Sequence, residues 1–272
     1  MSLRGRYVID RIKKAIGTKN FRLPVPPYGD PEYWNSSYQS LGPYDSFEWG
    51  EVSLNDVLEY SHKRLDHYYH GGGGGGGTSN HLLTTTLADT IGIQPNAEED
   101  EPILMLGCGN SRLGEEMIEK GWRGPLIQVD VSHRVIDSMS QRCSDYIQKG
   151  HMNFIQDDAT ELSAFRNAMM QACLDKGLVD ALFCADEYDQ CQRVIKAVHR
   201  VLKPGGIFCL WSFSQPEFLL PNIIDSTNIR QTKTMWEEIQ IHELSKILLY
   251  RFQKKRVDDA SQVHLSSPRS RR

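Results

Sequence analysis

From about residue 101 onward, short apolar runs alternate with amphipathic stretches. Ile103–Leu106, Leu126–Val129, Met152–Gln156 and Ile207–Phe213 have the length of buried strands and are bounded by glycine, proline or acidic residues. Between them, Leu113–Lys120, Val135–Tyr146 and Asp186–Leu202 read as helices. In the last, Val194, Ile195, Val198, Val201 and Leu202 share one side. Lys203-Pro204-Gly205-Gly206 stops that helix, because proline cannot continue the ladder and glycine takes the left-handed cap. Strands alternating with helices imply a parallel sheet covered on both faces. The end of the pattern differs. Thr234–Glu243 and Lys246–Gln253 are rich in β-formers, with Leu244-Ser245 between them, and predict an antiparallel hairpin at one sheet edge.

The first hundred residues carry no such alternation. Pro24, Pro26, Pro27 and Pro31 cluster, and Tyr33, Trp34, Tyr38, Tyr44, Phe47 and Trp49 follow closely. Ser53–Leu65 reads as a helix with Ser53 as its N-cap. The run Gly71–Gly77 breaks it and reads as a flexible loop or linker. A phosphate cradle is not expected there, since no strand leads in and no Lys or Ser/Thr follows at the needed spacing. The segment from Leu3 to Ile16 is basic, with Asp10 its only acid. A solvated amphipathic helix is the preferred reading, with an organelle-targeting helix as the alternative. The tail from Ser266 to Arg272 is polar, basic and expected to be disordered.

Composition narrows the class. The chain has 272 residues, 39% hydrophobic and 24% charged, which suits a soluble globular protein of one large domain with extensions. A net charge of −4 gives no overall pull toward nucleic acid, and no apolar run approaches a membrane span. The six cysteines form no Cys-x-x-Cys pair, and several sit inside apolar runs. Small buried hydrophobes in a reducing compartment fit that usage better than disulfides or zinc.

The candidate chemistry sits where the first strand ends. Ile103–Leu106 runs into Gly107-Cys108-Gly109-Asn110-Ser111, and a second apolar run ends in Asp130. Such a turn bends sharply and leaves room for a ligand, while the acid can accept hydrogen bonds from a ribose diol. A dinucleotide fingerprint would need a third glycine where Arg112 stands, and the Gly-Lys-Ser/Thr of a phosphate loop is absent. A nucleoside without phosphates fits. S-adenosylmethionine is such a ligand, and an ordinary strand-to-helix turn with a chance aspartate is the competing reading.

Together, the glycine turn, Asp130, the Leu202-Lys203-Pro204-Gly205-Gly206 turn and the hairpin resemble the class I S-adenosylmethionine-dependent methyltransferases. The resemblance implies an α/β fold with a seven-stranded, Rossmann-like sheet. That sheet would be mostly parallel, with an antiparallel C-terminal hairpin and helices on both faces. A narrower resemblance is to the methyltransferase-like lysine methyltransferases. It rests on Glu32-Tyr33-Trp34, Tyr38, Tyr44-Asp45, Phe47-Glu48-Trp49, the Leu106–Ser111 turn and Asp175-Lys176-Gly177-x-x-Asp180-Ala181-Leu182. The nearest type is the short, single-domain elongation factor 1-alpha lysine methyltransferase 4. This implies residues 1–27 as a basic N-terminal extension, 28–253 as the methyltransferase domain and 254–272 as the tail. Within the domain, 28–66 would be an aromatic lid segment, 70–80 the glycine loop and 100–253 the core.

The same resemblance implies the cofactor contacts. Trp34, Tyr38 and Trp49 would belong to the lid, with core aromatics as the alternative. Gly109 would lie against the methionine moiety with Gly107 beside it. Asp130 would meet the ribose, with Val131 next to it. Asp158 and Ala159 would meet the adenine edge, unless Asp158 caps a helix beginning near Glu161. Lys176 would line the cofactor, unless it is a solvated loop lysine. The family shows Phe-Asp and a β-branched run before the Asp-Lys-Gly motif. This chain has Met169-Met170-Gln171-Ala172-Cys173-Leu174, so a helix over Ala164–Cys173 competes with the fourth strand.

The implied reaction is in-line methyl transfer to a neutral lysine amine, on a protein substrate that the resemblance identifies as elongation factor 1-alpha. It needs no dedicated base. Asp175 and Asp180 are candidates for orienting the substrate ammonium, or are ordinary loop and helix carboxylates. No metal is expected, nor nucleic-acid or membrane partners. A monomer in the cytoplasm is expected. A small-molecule methyltransferase and a non-catalytic S-adenosylmethionine-binding protein are the alternatives.

Overall fold

The computed structural model describes residues 25–39, 42, 44–48, 101–122, 125–224, 235–243 and 247–256. The expected basic N-terminus, the Ser53–Leu65 helix, the glycine loop, Trp49 and the tail lie outside the described residues.

Seven strands form one sheet: β1 (Ile103–Leu106), β2 (Leu126–Asp130), β3 (Met152–Gln156), β4 (Met170–Lys176), β5 (Leu202–Ser212), β6 (Trp236–Glu243) and β7 (Leu248–Lys254). Their order is β3-β2-β1-β4-β5-β7-β6. β1 to β5 pair in parallel, and β7 runs antiparallel to both β5 and β6. This is the seven-stranded, mostly parallel sheet with a C-terminal antiparallel hairpin that the resemblance implies.

Every residue of β1 and β2 is buried, as strands covered on both faces must be. Alternation divides β1 between two cores. Ile103 and Met105 pack with Met117, Trp122, Val135 and Met139 on one face. Leu104 and Leu106 pack with Val194, Val198, Phe208 and Phe252 on the other. The first face is covered by α2 (Leu113–Glu119) and α3 (His133–Arg142). The second is covered by α5 (Leu178–Cys184) and α6 (Tyr188–Val201), whose buried side includes Val194, Ile195, Val198 and Val201 as the pattern predicts. An eight-residue helix, α1 (Pro31–Tyr38), precedes the sheet.

The fourth strand that the resemblance implies is Met170–Lys176, and the competing helix over Ala164–Cys173 does not form: the segment sits in the middle of the sheet between β1 and β5, and burial on both faces overrides its weak propensity. Four expectations need correction. The single helix over Val135–Tyr146 is two, because Cys143 leaves helical dihedrals and α4 (Ser144–Gln148) restarts after it. No helix begins near Glu161; turns and irregular backbone fill 157–169, with Leu162 at φ 48° and Ala168 at φ 53°. The helix before Lys203 ends at Val201, where Leu202 turns extended and pairs with Met170, so β5 starts five residues earlier than Ile207. Two short helices, α5 and α7 (Pro216–Ile223), follow β4 and β5 without a sequence forecast.

Register aligns the carboxyl ends of the parallel strands. Leu106 faces Val129 on one side and Asp175 on the other, Asp130 faces Gln156, and Lys176 faces Trp211. The loops that follow these ends meet at one rim, the place where open α/β sheets bind ligands.

Candidate functional site

The turn after β1 is shaped by two glycines in the left-handed region, Gly107 at φ 54° and Gly109 at φ 50°. A Cβ on Gly109 would stand 2.8 Å from the Tyr38 hydroxyl, so this position also needs glycine for space. The bend turns the Gly109 N–H onto Asp130, which accepts it at Oδ2 over 2.9 Å. Ser132 N–H donates to Asp130 Oδ1, also over 2.9 Å. The carboxylate therefore faces the bend. Burial pushes its pKa up, and the backbone donors of Ser132, Gly109 and Val131 oppose that. A carboxylate offers about four acceptor positions, so capacity for a further donor remains.

The loop after β3 is closed on itself by its acids. Asp157 accepts from Asp158 N–H and Ala164 N–H, and Asp158 accepts from Thr160 N–H at 2.8 Å. Asp158 thus caps a turn rather than a helix.

Segment 28–48 supplies the remaining wall. Asp30 caps α1 by accepting from Glu32 N–H, and Pro31 occupies the first turn where no N–H is needed. The helix displays Trp34 stacked between Tyr28 and Tyr38, with centroids 5.5 and 6.0 Å apart. Trp34 Nε1 donates to the Tyr28 carbonyl at 2.7 Å. Asn35 accepts from Ser132 Oγ at 2.8 Å, tying α1 to the end of β2. Burial, and next the charge of Asp130, hold the Tyr38 hydroxyl protonated, with its pKa well above the usual phenol range.

Beyond α1 the chain is sewn to the glycine turn. Asn110 Nδ2 and Arg142 both donate to the Asp45 carbonyl. Arg142 also donates to the carbonyls of Asn110 and Ser111 and pairs with Glu115 at 2.6 Å. Glu48 accepts from Ser111 Oγ, from Arg112 N–H at 2.8 Å and from the Lys176 ammonium. Sequence reasoning named Glu48 only as part of the Phe47-Glu48-Trp49 motif. Arg142 was not singled out at all, because nothing local marks a buried arginine whose partners lie on other elements.

These loops line an open cavity at the sheet rim. Trp34, Tyr38, Gly107, Gly109 and Asp130 line it, as do Val131, Asp158, Ala159 and Lys176. Nine of the ten expected cofactor contacts are thus brought together, and the tenth, Trp49, lies outside the described residues. Asp175 and Asp180 are not in the lining. Asp175 is fully buried and accepts from the N–H groups of Gly177, Leu178 and Val179, fastening the start of α5. Asp180 is buried against Ser212 Oγ and Phe213 N–H. Both carboxylates serve backbone and strand-end contacts, the plainer of their two readings.

The cavity suits a nucleoside better than a nucleotide. An acid faces the glycine turn where a phosphate fold would present free N–H groups, and the lining lysine is paired to Glu48. Two buried polar atoms of lining residues, Asn110 Oδ1 and Thr160 Oγ1, have no hydrogen-bond partner among the described residues. Among the described residues no group of His, Cys, Asp and Glu could hold a metal.

Residues 103–206 match the family model of a methyltransferase domain. The eEF1A lysine and N-terminal methyltransferase of Mus musculus is 29% identical over 195 residues, 71% of this chain and 22% of that protein. The Homo sapiens protein of that name is 34% identical over 122 residues, 44% of this chain and 17% of that one. EEF1A lysine methyltransferase 4 of Bos taurus is 24% identical, over 70% of this chain and 64% of its own length. The chain thus spans about a fifth of the length of the first of these relatives. Among solved structures, a SAM-dependent methyltransferase from Methanosarcina mazei aligns over 59% of this chain and 95% of its own, with 18% identity and a TM-score of 0.43. The chain carries an S-adenosylmethionine-dependent methyltransferase domain, and the cavity at the rim where β1, β2, β3 and β4 end is its candidate cofactor site.

Proposed function

We propose that this protein is a protein-lysine N-methyltransferase acting on translation elongation factor 1-alpha. The observation that carries the reading is the bond from Gly109 N–H to the Asp130 carboxylate inside a cavity walled by the aromatic 28–48 segment. The names of the curated relatives supply the substrate class.

S-adenosylmethionine supplies an electrophilic methyl group on a sulfonium. The residues of the chain do the rest. Asp130 presents acceptor oxygens to a sugar diol, and Gly107 and Gly109 leave the backbone open beside it. Ala159 and Val131 give apolar contact, and Asp158 offers an acceptor edge. The lysine must arrive neutral, against an unperturbed pKa of about 10.4. Trp34, Tyr38 and Phe47 line the cavity with aromatic surface; a lysine seated against it is desolvated, which disfavours the ammonium, so desolvation does the work of a base. Holding donor and acceptor together turns a bimolecular displacement into a local step. All six cysteines are free thiols, which supports a reducing compartment and hence the cytoplasm.

The test is mass spectrometry of elongation factor 1-alpha incubated with this protein and S-adenosylmethionine. The expected result is a mass gain of one or more methyl groups on a lysine. An unmodified factor, with methyl label recovered instead in small extractable products, would move the assignment to a small-molecule methyltransferase.

A further inference from the structure

Glu48 sits where three parts of the molecule meet. It belongs to the N-terminal segment, 128 residues from Lys176 in sequence. Its carboxylate takes Ser111 Oγ and Arg112 N–H at the entry to α2, and the Lys176 ammonium at the end of β4. Its neighbour Phe47 lines the cavity, as do Ser111 and Lys176. The Lys176 side chain is only 8% exposed and that of Glu48 27%. The ammonium is therefore shielded from water while the carboxylate is half-buried, and the Lys176 charge acts on the cavity with less screening than a surface lysine would.

That placement has an electrostatic consequence. Lys176 puts a cation in the lining of a cavity whose cofactor carries a sulfonium and whose proposed acceptor arrives as an amine. Two cations in one partly dry cavity repel each other unless a counter-ion is fixed beside one of them. The Arg142–Glu115 pair faces the glycine turn but cancels its own charge. Asp130 is held by backbone donors across the turn.

We propose that Glu48 is a positioning residue with two linked duties: it neutralises Lys176 so that the cavity accepts a sulfonium, and it closes segment 45–48 over the cofactor. This rests on reading the cavity as the S-adenosylmethionine site, not on the identity of the methyl acceptor. Closure and cofactor binding are then reciprocal: what orders one favours the other by the same factor.

The two nucleosides that differ at sulfur provide the test. S-adenosylmethionine has the sulfonium, and S-adenosylhomocysteine has a neutral thioether in its place. Their affinities are measured by calorimetry for the wild type, Glu48→Gln, Lys176→Met and the double variant. Glu48→Gln retains an acceptor for Ser111 and Arg112 but loses the charge. It is expected to weaken S-adenosylmethionine about tenfold or more, and S-adenosylhomocysteine by less than about threefold. Lys176→Met added to it is expected to restore the ratio of the two affinities to the wild-type value. Hydrogen exchange at residues 45–48 is expected to slow when either nucleoside binds the wild type, and to slow less in Glu48→Gln. Equal weakening of both nucleosides, or no rescue by the second change, overturns the electrostatic duty. Exchange at 45–48 indifferent to ligand overturns the closure. A wild type that binds neither nucleoside fails earlier, at the reading of the cavity itself, whereas absent lysine methylation with intact binding leaves this proposal standing.

Discussion

At the scale of single residues, the site depends on a backbone shape and a carboxylate that hold each other. Gly109 must keep φ near 50° for its N–H to reach Asp130, and the Tyr38 hydroxyl occupies the space a side chain would take. Gly109→Ala is therefore expected to cost about 1–2 kcal/mol for the left-handed residue alone. The contact with Tyr38 adds to that cost, and cofactor binding falls in parallel. Urea denaturation and calorimetry measure the two effects. An alanine variant with unchanged stability and affinity would show that the turn tolerates a side chain. Asp130→Asn keeps the shape but puts an amide nitrogen where one of the two backbone donors points. Loss of a charged acceptor costs about 2 kcal/mol, or roughly thirtyfold in S-adenosylmethionine affinity. An affinity within about twofold of wild type would remove Asp130 from the site. Both residues were legible in the sequence because an apolar run fixes which residue stands at a strand's end. Glu48 and Arg142 were not, since their meaning lies in partners 63 to 128 residues away for the one and 27 to 97 for the other.

At the scale of elements, the same contrast separates strands from connections. β1, β2 and β3 were readable because each is a short apolar run closed by glycine or an acid. β4 was not, because Met170-Gln171-Ala172-Cys173 has little intrinsic preference for a strand. Its neighbours β1 and β5 impose the conformation by burying Met170, Ala172, Cys173 and Leu174. Helix α1 was hidden as well, since its prolines and aromatics read as turns, although Asp30 and Pro31 are an ordinary cap and first turn. Asp30→Ala is expected to cost about 1 kcal/mol of stability. Because α1 carries Trp34 and Tyr38 into the cavity, cofactor affinity should fall with it. A loss of stability without any change in affinity would mean the helix is not part of the site.

Asp175 gives an element-scale prediction in pH. Burial is the largest influence on its carboxyl. Together with the nearby Asp180 it outweighs three backbone donors and pushes the pKa from 3.8 up to about 7. The folded chain therefore holds this proton more tightly than the unfolded one. The stabilisation is complete below about pH 4 and is lost as pH rises toward 7. The wild type should accordingly lose stability across that window relative to Asp175→Asn, whose side chain does not titrate. Denaturation curves at pH 4, 5, 6 and 7 for both proteins decide it, and parallel slopes would mean that the three amides keep the carboxylate ionised throughout.

At the scale of the whole molecule, the candidate cofactor site joins pieces that the sheet alone does not hold together. Loops after β1, β2, β3 and β4 form one wall, and segment 28–48 forms the other through Asn35, Asp45 and Glu48. A ligand that touches both walls stabilises the folded chain as a unit. Linkage gives about 2.7 kcal/mol at a ligand concentration one hundred times its dissociation constant. For a domain of this size each kcal/mol moves the midpoint by about 2–4 °C, so S-adenosylmethionine should raise Tm by roughly 5–10 °C. The shift should shrink sharply in Asp130→Asn, which removes an anchor on the sheet wall, and also in Glu48→Gln, which loosens the opposite wall where it meets the end of β4. A full shift in Glu48→Gln would mean that the sheet rim binds the cofactor alone, and that segment 28–48 serves the methyl acceptor instead.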